Sequence, residues 1–297
     1  MTLPEPAFLA VDWGTTNRRV YAIDATGAVV ARERDDRGVL GVAAGAFPAE
    51  VEAIRARMGP LPMLCAGMVG STRGWVEVPY LPCPAGFGDL AAGLHRIDAR
   101  TAIVPGLSST TARGGDVMRG EEVQLLGSVV AGMAPADALL CQPGTHCKWA
   151  RLAGGSVTGF RTTMTGELFA LLKRHSLLSD FLSAEPVDGA AFREGVAAAQ
   201  DATLLGDLFG VRANILLGHR ARADAASYVS GLLIGSDVRE QAIAPGEHVH
   251  VLADPGLGAL YGVALSLLGA SPVLLDSAAA FVAGMTHIWR HDDAFES

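Results

Sequence analysis

The sequence is short of charge, of basic residues and of paired cysteines, and each shortage removes a class of protein. Only 18% of its 297 residues are charged and 50% are hydrophobic, so the chain can bury a core and is not a disordered or coiled-coil polymer. Lys and Arg number 23 against 31 Asp and Glu, a net charge of −8. A nucleic-acid-binding face draws most of its affinity from phosphate neutralisation, so no nucleic-acid partner is expected. No apolar run approaches the ~18 residues of a membrane span; even 249–264 is broken by Asp254, Pro255 and Gly256, and no membrane association is expected. No basic segment followed by an apolar one opens the sequence, and the first strand-like run already carries Asp12, so the expected location is cytoplasmic. Cys65, Cys83, Cys141 and Cys147 form no CxxC and sit in apolar runs, which reads as buried thiols rather than disulfides or zinc ligands. No GxxxxGK[ST] occurs, which excludes a P-loop kinase.

What is present is an α/β pattern. Strands are expected at 7–11, 18–23 and 28–34, a helix at 48–58 and a strand at 62–66. Residues 67–88 are rich in glycine and proline and lack periodicity, more the mark of a functional surface than of a connector. At an offset of 130, Gly14-Thr15 falls on Gly144-Thr145, and strand patterns at 139–142, 148–152 and 157–161 repeat the opening. Helical periods follow at 168–178, 190–199, 204–217 and 225–243, then a strand at 248–252, a helix at 256–268, a strand at 272–275 and a closing helix at 277–289. The division between two domains is placed at 133/134, giving 1–133 and 134–297.

At the tip of a hairpin, Asp12-Trp13-Gly14-Thr15-Thr16-Asn17 has the chemistry of a phosphate site. Glycine admits a phosphate to the backbone, successive N–H groups and threonine hydroxyls donate to its oxygens, and a carboxylate on the preceding strand can hold the waters of Mg²⁺. Asp12 and Asn17 can equally bond only their own turn. Gly144-Thr145-His146 offers the same donors, with Gln142 in the place of Asp12. Gly114-Gly115-Asp116 precedes an expected helix at 117–130, where Asp116 can act as a base toward a hydroxyl or as a helix cap. Glu121 and Glu122 fall in its first turns, where negative charge is favourable. An anionic ligand would need local cations, and Arg18, Arg19, Arg73, Arg113, Arg119 and Lys148 are the candidates. Trp149 and Phe169 read as core. His248 and His250 read as surface or packing residues, and His287 and His291 as a polar helix end.

Six segments carry a resemblance: AVDWGTTNRR from Ala10, GMVGSTRGWVEVPYLPCPAG from Gly67, DVMRGEEVQLLG from Asp116, PGTHCKW from Pro143, TMTGELFALLKRHSLL from Thr163 and ASYVSGLLIGSDVR from Ala226. Together they resemble the 2-dehydro-3-deoxygalactonokinases, along essentially the whole chain. That family belongs to the sugar-kinase, heat-shock-ATPase and actin superfamily. The resemblance implies two ribonuclease-H-like domains with ATP and sugar in the cleft between them, extra helices in the second domain, and phosphorylation of 2-dehydro-3-deoxy-D-galactonate at its 6-hydroxyl. It implies ATP and Mg²⁺ as cofactors, Gly14, Thr15 and Thr16 as the first phosphate motif, and Gly144, Thr145 and His146 as the second. It also implies Asp12 as the metal carboxylate, Asp116 as the catalytic base, and Gly256 and Gly258 in the adenosine motif. The second phosphate motif lacks the acid found in many superfamily members. For the sugar acid, Arg73 is the first candidate for the carboxylate and Arg18 the second, with Asn17, Ser71 and Trp75 nearby.

Three alternatives stay open on the sequence: a kinase for a related 2-keto-3-deoxy sugar acid, a non-catalytic sugar-acid and ATP-binding regulator, and a dehydrogenase. The last follows from the strand at 248–253, Gly256-x-Gly258-x-x-x-Gly262 and Asp276, which imitate a dinucleotide fingerprint, although only 21 residues remain to complete such a domain.

Overall fold

The computed structural model describes residues 5–112, 114–201 and 203–292. Its first half runs β1 (Pro6–Trp13), β2 (Arg18–Asp24), β3 (Val29–Asp35), α1 (Phe47–Met58), β4 (Met63–Gly67), β5 (Leu81–Pro82), α2 (Phe87–Ala92), β6 (His95–Asp98), β7 (Thr101–Ile103), β8 (Leu107–Thr111), β9 (Gly114–Met118) and α3 (Glu121–Val130). The second half runs β10 (Ala138–Gln142), β11 (Cys147–Ala153), β12 (Ser156–Thr163), α4 (Thr165–His175), α5 (Ala190–Ala198), α6 (Leu204–Leu216), α7 (Ala225–Glu240), β13 (His248–Leu252), α8 (Pro255–Leu267), β14 (Ser271–Leu275) and α9 (Ser277–Arg290).

Two sheets repeat one path. The first has the order β3-β2-β1-β4-β7-β6 and the second β12-β11-β10-β13-β14. β1 pairs antiparallel with β2 and parallel with β4, which pairs parallel with β7. In the second sheet β10 and β13 are parallel, as are β13 and β14. The central strands are apolar because both of their faces are covered: Phe8, Leu9, Ala10 and Val11 have no exposed surface. At the edge, β3 is mostly exposed and carries Arg32, Glu33 and Arg34, charges that discourage further pairing. A doubly wound dinucleotide domain does not have this strand order. No described helix is long and apolar enough to cross a membrane.

The chain forms two compact units. One holds Met1–Asp137, Arg151–Phe160 and Ser277–Ser297, the other Ala138–Ala150 and Arg161–Asp276. The reading of 134–297 as one domain therefore differs at two places: the tip of the β11–β12 hairpin and all of α9 pack with the first unit. α9 returns there because α3 and α9 meet backbone to backbone. A Cβ on Gly127 would lie 2.0 Å from the Ala280 carbonyl oxygen, and one on Gly284 2.3 Å from that of Val123. Trp289 stacks on Phe8, with centroids 4.8 Å apart.

The expected helix at 117–130 is also corrected. Residues 114–118 form β9, antiparallel to β8 with Asp116 opposite Ser109, so Asp116 is not a helix cap. The helix begins only after Gly120, whose φ of +103° belongs to the region that favours glycine.

Gly127→Ala should cost about 1–3 kcal/mol through overpacking against α9. Gly210→Ala in α6, where a Cβ meets nothing within 4 Å, should be neutral or stabilising by under about 1 kcal/mol. Urea unfolding of the two variants checks the contrast; equal midpoints would contradict the α3–α9 contact.

Candidate active site

In the first unit, residues 14–17 join β1 to β2. Gly14 N–H donates to the Asn17 carbonyl at 3.0 Å, and the Asn17 amide donates to Thr16 Oγ1 at 2.9 Å. The tip is held from beneath by N–H groups of Gly38, Val39 and Leu40, which donate to the carbonyls of Thr16, Gly14 and Thr15 at 3.2, 3.0 and 3.2 Å. With those carbonyls turned inward, the exposed Thr15 and Thr16 keep N–H groups that no hydrogen bond engages among the described residues, an arrangement suited to an anion. Asp12 lies one residue before the end of β1. Its Oδ2 accepts from Arg19 at 3.1 Å; burial raises its carboxyl above the ordinary value, and Arg19 opposes that rise.

The end of β4 and the start of α3 meet beside this loop. Gly67, with φ of +97°, pairs with Trp13, and a Cβ there would sit 2.8 Å from the Trp13 carbonyl oxygen. A Cβ on Gly120 would lie 2.9 Å from the Gly67 Cα. Both oxygens of the fully buried Glu122 accept from the Gly120 N–H, at 2.8 and 2.7 Å. Burial, reinforced by Glu121, pushes the Glu122 carboxyl up to about 8. Glu121 and Glu122 do open the helix, as expected.

The predicted substrate residues divide. Ser71 Oγ donates to the Met68 carbonyl at 2.7 Å and accepts from the Arg73 N–H at 3.3 Å, which shapes the turn. The Arg73 side chain is exposed, and no hydrogen bond or ion pair holds it among the described residues. Trp75 instead packs against the core, stacked on Phe47 with centroids 6.1 Å apart. Arg18 is committed within the fold: 1% exposed, it pairs with Asp35 at 2.6 Å and Glu50 at 3.0 Å and lies 4.9 Å from the Trp13 ring centroid. Arg119 is buried, donating to the Val78 carbonyl at 2.6 Å and covering the Tyr80 ring. Lys148 is buried as well, and Arg113 lies outside the described residues. Asp116 is half-buried on β9, where its Oδ1 accepts from the Val117 N–H at 2.8 Å.

In the second unit, residues 143–146 join β10 to β11. The burial of the first tip recurs, with Gly144 half-buried and Thr145 and His146 exposed. The start of α4 presses on this loop: a Cβ on Gly166 would lie 2.2 Å from the Gly144 carbonyl oxygen, and the Glu167 N–H donates to the Thr145 carbonyl at 2.8 Å. His146 Nε2 sits 2.6 Å from Glu167 Oε2. Gly144 opens on a cavity of about 370 Å³ whose wall includes Thr165, Phe169, Ser230, Gly256 and Tyr261. Gly256 is the second residue of α8, and a Cβ there meets open space; Gly258 is buried over Ala253 and Leu274 instead of lining the cavity.

Several of these residues escaped sequence reasoning. Phe169, read as core, packs against the buried cluster that includes Leu182, Val229 and Leu232 and also lines the cavity; Trp149 is core as expected. Gly38 supports the first tip from a segment without a motif and Gly166 the second from the segment that opens at Thr163, and only their lack of a side chain could have marked this role. The cysteines are free thiols, three buried and Cys83 half-buried. His250 is buried and His248 exposed, while His287 stacks on His291 and meets the Phe87 ring at a tilt. No group of three or more metal-ligating side chains occurs among the described residues.

Two sheets of one order, each with a glycine–threonine tip at the same joint, define a two-unit α/β protein of the actin-like ATPase and sugar-kinase class. A family model described as 2-keto-3-deoxy-galactonokinase matches residues 12–288, and the chain belongs to that family. It is 37% identical over 292 residues to the probable 2-dehydro-3-deoxygalactonokinase DgoK1 of Rhizobium meliloti (strain 1021), covering 94% of this chain and 95% of that protein. It is 35% identical over 287 residues to the 2-dehydro-3-deoxygalactonokinase of Escherichia coli (strain K12), covering 95% and 97%. A solved structure from Sinorhizobium meliloti with the same 2-dehydro-3-deoxygalactonokinase designation superposes with a TM-score of 0.87 at 36% identity, covering 96% of this chain and 98% of that one. A more distant structure, the activator of 2-hydroxyisocaproyl-CoA dehydratase from Clostridium difficile with bound ADPNP, shares the fold at a TM-score of 0.51 and 12% identity, covering 97% and 96%.

Glu122 gives this region a pH signature. Its carboxyl is raised from 4.5 to about 8 in the folded chain, so between those values the folded state holds a proton that the unfolded state has released, and stability falls as pH rises. Glu122→Gln keeps an oxygen for the Gly120 N–H and removes the titration. The urea midpoint of the variant relative to the parent should therefore be higher at pH 8 than at pH 5; an offset unchanged between the two would contradict a protonated Glu122.

Proposed function

We propose that this chain transfers the γ-phosphoryl group of ATP to the 6-hydroxyl of 2-dehydro-3-deoxy-D-galactonate. The observation that carries the reading is the family match over residues 12–288, a span that includes both Gly–Thr tips.

The cavity beside Gly144 takes the nucleoside part of ATP, with an apolar wall for the base and the start of α8 at Gly256. Gly14, Thr15 and Thr16 serve as phosphate donors, as do Gly144, Thr145 and His146. His146 is held in place by Glu167. Asp12 fits a magnesium ion in its chemistry: it is a hard oxygen donor at the loop, with Oδ2 bonded to Arg19 and no hydrogen bond to Oδ1 among the described residues. Bound Mg²⁺ neutralises charge on the phosphates, and the chain's own task is chiefly to position the reactants. Asp116 accepts the proton of the attacking hydroxyl. The exposed, unpaired Arg73 takes the sugar-acid carboxylate through its two-pronged guanidinium, whereas Arg18 and Trp75 hold the fold.

A coupled assay of ADP release across sugar acids and neutral sugars tests the reading as a whole. Turnover with 2-dehydro-3-deoxy-D-galactonate and none with neutral sugars is expected; ATP binding without turnover on any acid would overturn it. Asp116→Asn should lower kcat by ~10² or more and leave both KM values within a few fold; near-normal kcat would remove Asp116 as the base. Arg73→Ala should raise the sugar-acid KM by about 10- to 100-fold, the loss of a charged hydrogen bond, with the ATP KM unchanged. An unaltered sugar-acid KM would place carboxylate recognition elsewhere.

A further inference from the structure

One buried carboxylate joins the walls of the nucleotide cavity without lining it. Asp237 lies on α7 and is 4% exposed. Its Oδ1 accepts from the indole N–H of Trp149 and the hydroxyl of Thr163, both at 2.9 Å, and its Oδ2 from the hydroxyls of Thr165 at 2.8 Å and Tyr261 at 2.7 Å. These donors come from β11, β12, the first residue of α4, and α8. The two oxygens of a carboxylate offer acceptor positions for all of them at once.

The placement bears directly on the cavity. Thr165 and Tyr261 stand on two of its walls, and α7 forms a third with Ser230, Leu233 and Ile234, the turns leading up to Asp237. Thr165 precedes Gly166, which has no slack against Gly144, so a shift at the start of α4 is passed to the 143–146 loop.

We propose that Asp237 is the positioning residue of the nucleotide site. By holding α4, α7 and α8 to one point, it fixes the spacing between the phosphate loop and the nucleoside cavity. The proposal rests on the reading that this cavity receives the nucleoside part of ATP. Replacing the carboxylate by an amide puts an NH2 group where one oxygen accepted, so the hydroxyls on that side keep a bond only by turning to accept, and the spacing of the walls changes.

Fluorescence titration with mant-ATP, alongside steady-state KM values, tests this. Asp237→Asn should raise the mant-ATP Kd at least tenfold and leave the sugar-acid KM within twofold. Loss of folded protein alone would lower the active fraction without moving either constant. Thr163→Val, which reaches Asp237 but does not line the cavity, should raise the Kd two- to fivefold, and it carries the test if Asp237→Asn does not fold. Ser230→Leu fills the cavity itself. If Ser230→Leu leaves mant-ATP binding intact, the nucleotide reading of the cavity fails. If it weakens binding while folded Asp237→Asn or, failing that, Thr163→Val does not, the positioning role fails and the cavity reading stands.

Discussion

Each Gly–Thr tip rests on a glycine contributed by another part of its own unit, and the absent side chain is what lets the tip exist in its observed form. Under Thr15 and Thr16 lies Gly38, where a Cβ would come within 2.4 Å of three backbone atoms; against Gly144 lies Gly166, where the distance is 2.2 Å. At the first tip neighbouring N–H groups take the carbonyls of Gly14, Thr15 and Thr16, and at the second the Glu167 N–H takes that of Thr145; no hydrogen bond engages the N–H groups of Thr15 and Thr16 among the described residues. A hairpin alone would not be preorganised in this way. The support fixes which backbone groups point outward, and a preorganised set of donors stabilises an anion without rearranging.

The two units use this shared frame differently. At the end of β1 the acid is Asp12, tied to Arg19; at the matching place in the second sheet stands Gln142. The second unit brings its carboxylates from helices: Glu167 reaches His146 on the loop, and Asp237 gathers donors from β11, β12, α4 and α8 behind the cavity. The first unit keeps its own buried carboxyl, Glu122, at the turn where Gly120 meets Gly67. The frame repeats, then, while the polar groups placed on it do not.

Much of the frame was legible in residue pattern. The strand at 7–11 showed as an apolar run because a central strand is covered on both faces, and the helix at 48–58 because its apolar positions recur at helical spacing. The repeat of Gly-Thr at an offset of 130 matched a repeat of strand order. Residues 95–118 were not legible: β6 to β9 are short strands, and Gly114-Gly115 beside a carboxylate imitates a helix entrance. In the site, Arg18 and Trp75 looked like ligand groups because residue type shows what a side chain can bind, not what already binds it.

The sequence by itself determined the elements outside residues 95–118, the duplicated loop chemistry and the family, since propensity, periodicity and motif are properties of neighbours along the chain. Tertiary structure alone decided that α9 belongs with the first unit, that Gly38 and Gly166 carry the tips, and that Asp237 ties four segments together. Those contacts join residues distant in sequence and depend on shape at close range, where one missing Cβ or one buried carboxylate sets the arrangement.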